Sequence, residues 1–337
     1  MKHLKFILFF LLAGITIINA QKIHSPFEII QIMTDSKVMY AVNTLKEPVE
    51  CPDYSEELNY HDSYRVVTDS SIFTLKYKIN EQAKPLLDKA EEYFEARNLN
   101  AALDYYKKAL EADSSQYYIM TYIGQIYDGL GDYAQSIAWY QKAIETNYID
   151  YMAHWFLADA FFVVKEYKKA VDEIIIARIL NRNNPRIKAS MDIIFKKAKL
   201  NTADWCFNPQ VKISKTGENE VTIEMGEKWT AYAMAKALWS YEPGYKESMG
   251  IIADSYSTLE ERECLIVQLI GMENAKTKVN KDPQLKILKK AGETKHLNDY
   301  ILYEIFLPRI PSIAYQLPEE TILSIKDYVL NVRHAKK

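Results

Sequence analysis

Residues 117–150 read YYIMTYIGQIYDGLGDYAQSIAWYQKAIETNYID. Two helical runs are written here, Tyr117 to Leu130 and Ala134 to Thr146, with Gly131-Asp132-Tyr133 as the turn between them. Gly124 leaves room for close approach of a partner helix, and Tyr127 fills the space beside it. The same pattern stands 34 residues earlier and 34 residues later, so three copies start at Ala83, Tyr117 and Tyr151 without insertions. At position eight stand Ala90, Gly124 and Ala158, and at position eleven Tyr93, Tyr127 and Phe161. Position twenty holds Ala102, Ser136 and Ala170, position twenty-four Tyr106, Tyr140 and Ile174, and position twenty-seven Ala109, Ala143 and Ala177.

One helix pair cannot bury both of its apolar sides. Stacked copies bury them against each other, and about three copies are needed for that. The spacing predicts a mainly α fold: a solenoid of three helix pairs with a capping helix, then a mostly helical C-terminal region with one β-hairpin.

The pattern resembles the tetratricopeptide repeat over about 102 of 337 residues. Departures exist. The family's tryptophan at position four is replaced by Leu86, Met120 and His154, and its proline at position thirty-two by Ser114, Tyr148 and Arg182. The resemblance implies a concave groove whose ligand-facing residues are Leu87, Glu91 and Phe94 in the first copy. It implies Tyr118, Thr121, Gln125 and Asp128 in the second, and Met152, Trp155, Asp159 and Phe162 in the third. Acids mixed with aromatics favour a polar or basic peptide. The family's version that grips a chain-terminal carboxylate uses cations and asparagines where Leu87 and Glu91 stand here, so that version is not expected. The plainer reading has Trp155 and Phe162 packing against flanking segments.

The chain opens MKHLKFILFFLLAGITIINAQ. Lys2 and Lys5 precede an apolar run from Phe6 to Ile18, short for a membrane span. This reads as an export signal over residues 1–20, cut after Ala20. The expected location is the periplasm or cell envelope, or outside the cell. No other apolar run reaches about 18 residues, so no membrane span is expected after cleavage. The formal charge is −3, and −5 without the two signal lysines. That balance disfavours a nucleic-acid partner, which needs basic patches. Cys51, Cys206 and Cys264 cannot all pair within the chain, and spacing leaves the pairing open.

Residues 21–82 are expected to cap the first repeat, because solenoid ends need covering. Ser25-Pro26-Phe27-Glu28 is a helix-start signal with a capping box. Val38 to Val42 fits strand or helix. After the repeats, residues 186–200 keep the register as a capping helix, so the repeat region is taken as 83–200. The lysines of that helix read as a solvated face. Residues 201–337 are taken as an accessory α+β region with a hairpin at Val211–Ser214 and Val221–Glu224. A helix follows over Glu227–Tyr241, then one behind a capping box at Thr258–Glu261, one over 282–291 ended by Gly292, one over 295–307, and a last one from Pro318 that docks.

No catalytic motif is found. The six histidines are dispersed, no glycine-rich phosphate loop occurs, and no metal or cofactor is expected. The expected function is an exported, non-enzymatic adaptor for a protein or peptide partner, with self-association open. The alternative is an enzyme or glycan-binding protein whose pocket is lined by Trp205, Trp229, Trp239, Tyr241 and Tyr245, the repeats serving for docking.

Overall fold

The structure, a computed structural model, describes residues 23–55, 58, 63–68, 71–78, 80–251, 257–276 and 282–335. The expected export signal lies outside them. In chain order come α1 (Pro26–Asp35), β1 (Met39–Thr44), β2 (Ser63–Val67), β3 (Ile72–Lys76), α2 (Lys84–Glu95), α3 (Leu99–Ala112), α4 (Tyr117–Gly129) and α5 (Tyr133–Thr146). Then follow α6 (Tyr151–Val163), α7 (Tyr167–Leu180), α8 (Pro185–Lys197), β4 (Val211–Gly217), β5 (Glu220–Met225), α9 (Thr230–Tyr241), α10 (Tyr245–Ser248), α11 (Thr258–Asn274) and α12 (Pro283–Glu293). A helical run over 297–309 and the helix Glu319–Tyr328 complete the chain, both extended by π turns. No helix among the described residues is long and apolar enough to cross a membrane.

The chain divides into two compact units. One holds Met1–Val49 with Pro209–Thr277, and the other Glu50–Asn208 with Lys278–Lys337. The stretch after residue 200, read above as one region, therefore contributes to both.

In the first unit α1 starts as its capping box predicts: Ser25 Oγ accepts from Glu28 N, and Glu28 accepts from Ser25 N. Residues 39–44 resolve to strand. β1 pairs in parallel with β5, and β4 closes an antiparallel hairpin onto β5, giving the order β1-β5-β4. Val221, Ile223 and Met225 pack under Ala233 and Ala237 of α9. α9 and α11 touch so closely that a Cβ on Gly271 would lie 2.7 Å from the Ala231 methyl. The N-cap of α11 is Ser257, which accepts from Leu259 N, so its start is shifted one residue from the expected capping box.

In the second unit the three helix pairs and α8 appear where the 34-residue register places them. Residues 58–77 differ from the expected end cap. The described residues of this stretch, Leu58, 63–68 and 71–77, form a strap along the junctions between copies, because the residue that ends each pair reaches out to hold them. Tyr77 donates to Asp113, Asn147 accepts from Arg65 N and donates to Ser63 O, and Asn181 grips both backbone atoms of Leu58. Asp113, Asn147 and Asn181 are themselves 34 residues apart.

The last helix docks on α7, with Ile322, Ile325 and Tyr328 buried and Lys326 paired to Asp172 at 3.3 Å. Buried Glu304 accepts from Arg333 and from the Tyr328 hydroxyl. The Arg333 guanidinium also lies over Trp205, 4.1 Å from the ring centroid. Gly292 does not end α12; the left-handed turn falls at Lys295, where His296 N reaches back to Ala291 O. Cys51 and Cys206 form the disulfide, with Cα atoms 6.5 Å apart, and Cys264 is free and buried.

Candidate functional site: the concave face of the repeats

The first helices of the copies, α2, α4 and α6, each end in the same turn at position fifteen, and so does α8. Arg97, Gly131, Lys165 and Lys199 all take left-handed backbone, at φ +61°, +79°, +68° and +58°. In each case the following N–H reaches back over the turn: Asn98 to Tyr93, Asp132 to Tyr127, Glu166 to Phe161, Leu200 to Phe195. This is the Schellman closure, which satisfies carbonyls that the helix end leaves bare. Only the second copy has the glycine that suits such backbone. The notch at position eight is tight as well. A Cβ on Gly124 would sit 2.4 Å from the Tyr140 ring, closer than atoms can approach.

The predicted groove residues divide into two groups. Leu87, Tyr118 and Thr121, at positions two and five, are buried. Tyr64 and Tyr77 of the strap pack on the cluster that contains Leu87 and Tyr118, and the Tyr77 ring meets Tyr118 edge-on. Thr121 donates to Asp150 at 2.7 Å. Glu91 is exposed, while Phe94, Gln125, Asp128, Met152, Trp155, Asp159 and Phe162 are half-buried. The strap thus packs over positions two and five in the first two copies, while at positions nine and twelve Glu91 is exposed and Phe94, Gln125 and Asp128 stay half-buried.

Tyr118, Thr121, Tyr122, Gln125, Asp150 and Met152 line a narrow cleft in this face. Asp150 caps α6 through Met152 N and Ala153 N, and its burial raises its pKa. Asp128 accepts from the Tyr140 hydroxyl at 2.6 Å, and burial raises its pKa too. Asp159 accepts from Ser190 of α8, and burial lifts its carboxyl to about 6 despite that hydrogen bond. Neither Asp128 nor Asp159 has a cationic partner among the described residues. His154, on the same helix as Trp155, is buried between Glu173 and Tyr148 O, a structural placement.

The aromatics of the alternative reading do not form a pocket wall. Trp229, Trp239 and Tyr245 are buried core residues of the first unit. Trp239 Nε1 and the Tyr245 hydroxyl both donate to Glu263, which also holds His24 N. Trp205 belongs to the other unit, beneath Arg333. Among the described residues no group of three His, Cys, Asp or Glu side chains is placed to hold a metal ion.

Sequence reasoning missed the strap ladder of Asp113, Asn147 and Asn181. Its signal was present, a polar residue at position thirty-one of every copy, but the segment it holds lies 36 to 123 residues away. It also treated α8 only as a cap. Trp155 Nε1 donates to Ser190 at 3.0 Å, and Ser190 donates on to Asp159, so α8 continues the row of first helices.

Residues 87–149 and 127–178 match the family described as tetratricopeptide repeat. No curated protein matches the chain. Among solved structures, the first TPR of Spaghetti (RPAP3) bound to an HSP90 peptide is 21% identical, with TM-score 0.34 over 35% of this chain and 94% of that one. The TPR2B domain of yeast Sti1 in its pHsp70 complex is 20% identical, with TM-score 0.34 over 35% and 99%. The Yersinia enterocolitica type III secretion chaperone SycD, in complex with a YopD peptide, is 15% identical, with TM-score 0.34 over 35% and 96%.

Proposed function

We propose that this chain, which carries tetratricopeptide repeats, is an exported, non-enzymatic adaptor that offers the open half of its concave face to a polar or basic segment of a protein partner in the cell envelope. The observation that carries this reading is the row of Glu91, Asp128 and Asp159 set among Phe94, Trp155 and Phe162. Burial raises the pKa of both Asp128 and Asp159, the latter to about 6, and their partners are only hydroxyls and an indole. Desolvated carboxylates of this kind gain most from a cation brought by a ligand, and rigid aromatics beside them supply contact area at low entropic cost. The apolar run Phe6–Ile18 after two lysines supports export, as does the Cys51–Cys206 disulfide, since such bonds persist in oxidising compartments.

Copurification tests the proposal. Tagged mature chain recovered from its own host under gentle crosslinking is expected to bring down a protein partner, and Asp128→Asn with Asp159→Asn is expected to reduce that recovery. A chain recovered only as monomer, or a partner retained in full by the double variant, would sink the reading. Light scattering on the purified chain separates an adaptor from a large homo-oligomer.

A further inference from the structure

We infer that the groove is electrically graded along its length and selects a partner segment whose charges are sorted: basic residues over the first three copies, acidic residues at α8. The inference rests on the groove reading above and adds α8 to it as a fourth binding helix.

Pro185 stands 34 residues after Tyr151, so α8 begins at position one of a fourth copy. It is laid on α6 through Ser190, and it ends in the same left-handed closure at Lys199 as the earlier first helices. Its positions nine, twelve and thirteen therefore extend the concave row, and they are Ile193, Lys196 and Lys197. All three are exposed, Ile193 at 59%. In the earlier copies the same positions carry Glu91 and Glu95, then Asp128, then Asp159. The sign of the row changes between α6 and α8. Val163, at position thirteen of the third copy, is 49% exposed beside that change, so an apolar step separates the two halves.

Four first helices set about 9 Å apart make a row of roughly 30 Å, the span of about nine extended residues. Charges in water are screened over about 8 Å at physiological ionic strength. Each end of the row is therefore felt separately by a bound segment. A uniformly basic segment gains at α2, α4 and α6 and loses at α8. A segment with alternating signs gains nothing net at either end. Only sorted charges gain at both, and the apolar residue between them meets Val163 and Ile193.

The test uses the full chain and three fluorescein-labelled ten-residue peptides, read by polarisation. One carries its lysines in one half and its glutamates in the other around a central leucine. The second has the same composition with the signs alternating. The third replaces every glutamate by lysine. The sorted peptide is expected to bind roughly fivefold or more tighter than the alternating one at physiological salt, as charge complementarity allows. Lys196→Glu with Lys197→Glu, both at exposed sites, should reverse the ranking in favour of the all-lysine peptide. Equal binding of sorted and alternating peptides, both weakened by Asp159→Asn, would overturn the gradient and leave the groove reading standing. No binding by any of the three, with partner recovery unchanged by Asp128→Asn and Asp159→Asn, would overturn both.

Discussion

Asn181 holds Leu58 as one peptide group holds another: its Oδ1 accepts from Leu58 N at 3.1 Å and its Nδ2 donates to Leu58 O at 2.8 Å. Both residues are buried. The peptide atoms of Leu58, which belongs to no helix or strand, are thereby satisfied inside the molecule, as burial demands. Asn181→Ala leaves the Leu58 amide and carbonyl without partners, at a cost of about 2–4 kcal/mol. Asn181→Asp keeps the shape but faces Leu58 O with an oxygen, so it should cost a similar amount. Urea melts of the two variants check this, and a midpoint unchanged by either would show that the strap is held by other contacts.

Tyr106 and Tyr140 occupy the same register position with opposite hydrogen-bond fates. The Tyr140 hydroxyl has Asp128 at 2.6 Å, whereas the buried Tyr106 hydroxyl has no partner among the described residues, because Phe94 stands where the next copy has its aspartate. Tyr140→Phe should destabilise by about 1.5–3 kcal/mol, and Tyr106→Phe should be neutral or stabilise by about 1 kcal/mol. Thermal melts of the two single variants read the difference in sign.

Arg97, Lys165 and Lys199 hold left-handed backbone without being glycine. Each is exposed, so a side-chain loss there removes little packing. Arg97→Gly, Lys165→Gly and Lys199→Gly should each stabilise, by up to about 1 kcal/mol, since relief of the left-handed strain exceeds the added freedom of the unfolded chain. Gly131→Ala should do the reverse. The four melts together test whether position fifteen is strained in every copy.

His334 is buried against Phe195, with Nδ1 on Asn201 O, and its pKa falls to about 3 through burial and then the nearby Arg333 charge. Its ordinary value is 6.5. Between those values the unfolded chain binds the proton and the folded chain does not. Stability from this group is therefore complete above pH 6.5 and declines as pH falls toward 3. Asp159 acts in the opposite sense, because its folded pKa of about 6 exceeds its ordinary value of 3.8. Its contribution rises as pH falls from about 6 toward 4. His334→Asn should remove the first dependence alone, so the wild type should lose on the order of a few kcal/mol more than the variant between pH 7 and 4. Parallel urea melts across that range check the sign.

The Cys51–Cys206 bond closes a loop over 155 residues of sequence. Cys51→Ser with Cys206→Ser should destabilise by about 2–5 kcal/mol, chiefly by freeing the unfolded chain. Cys264 is fully buried, and burial holds its thiol well above the usual range, so it should resist alkylation in the native state. Non-reducing peptide mapping should recover 51 joined to 206, with 264 labelled only after unfolding.

The solenoid was legible because its packing is local and repeated. Gly124 faces Tyr140 sixteen residues on, and the same small-and-large pairing returns at each period, so the register alone placed α2 to α8. Capping chemistry likewise gave α1, since Ser25 and Glu28 need nothing beyond their own turn. What the tertiary structure decided was everything held by distant partners. That Cys51 and not Cys264 meets Cys206, and that β1 joins β5 across nearly the whole repeat region, are contacts made once. A contact made once leaves no period in the chain, and its energy comes from burial and hydrogen bonding that exist only after the segments meet. The strap shows the division within one feature: Asp113, Asn147 and Asn181 are written in the repeat, and the residues they hold are not.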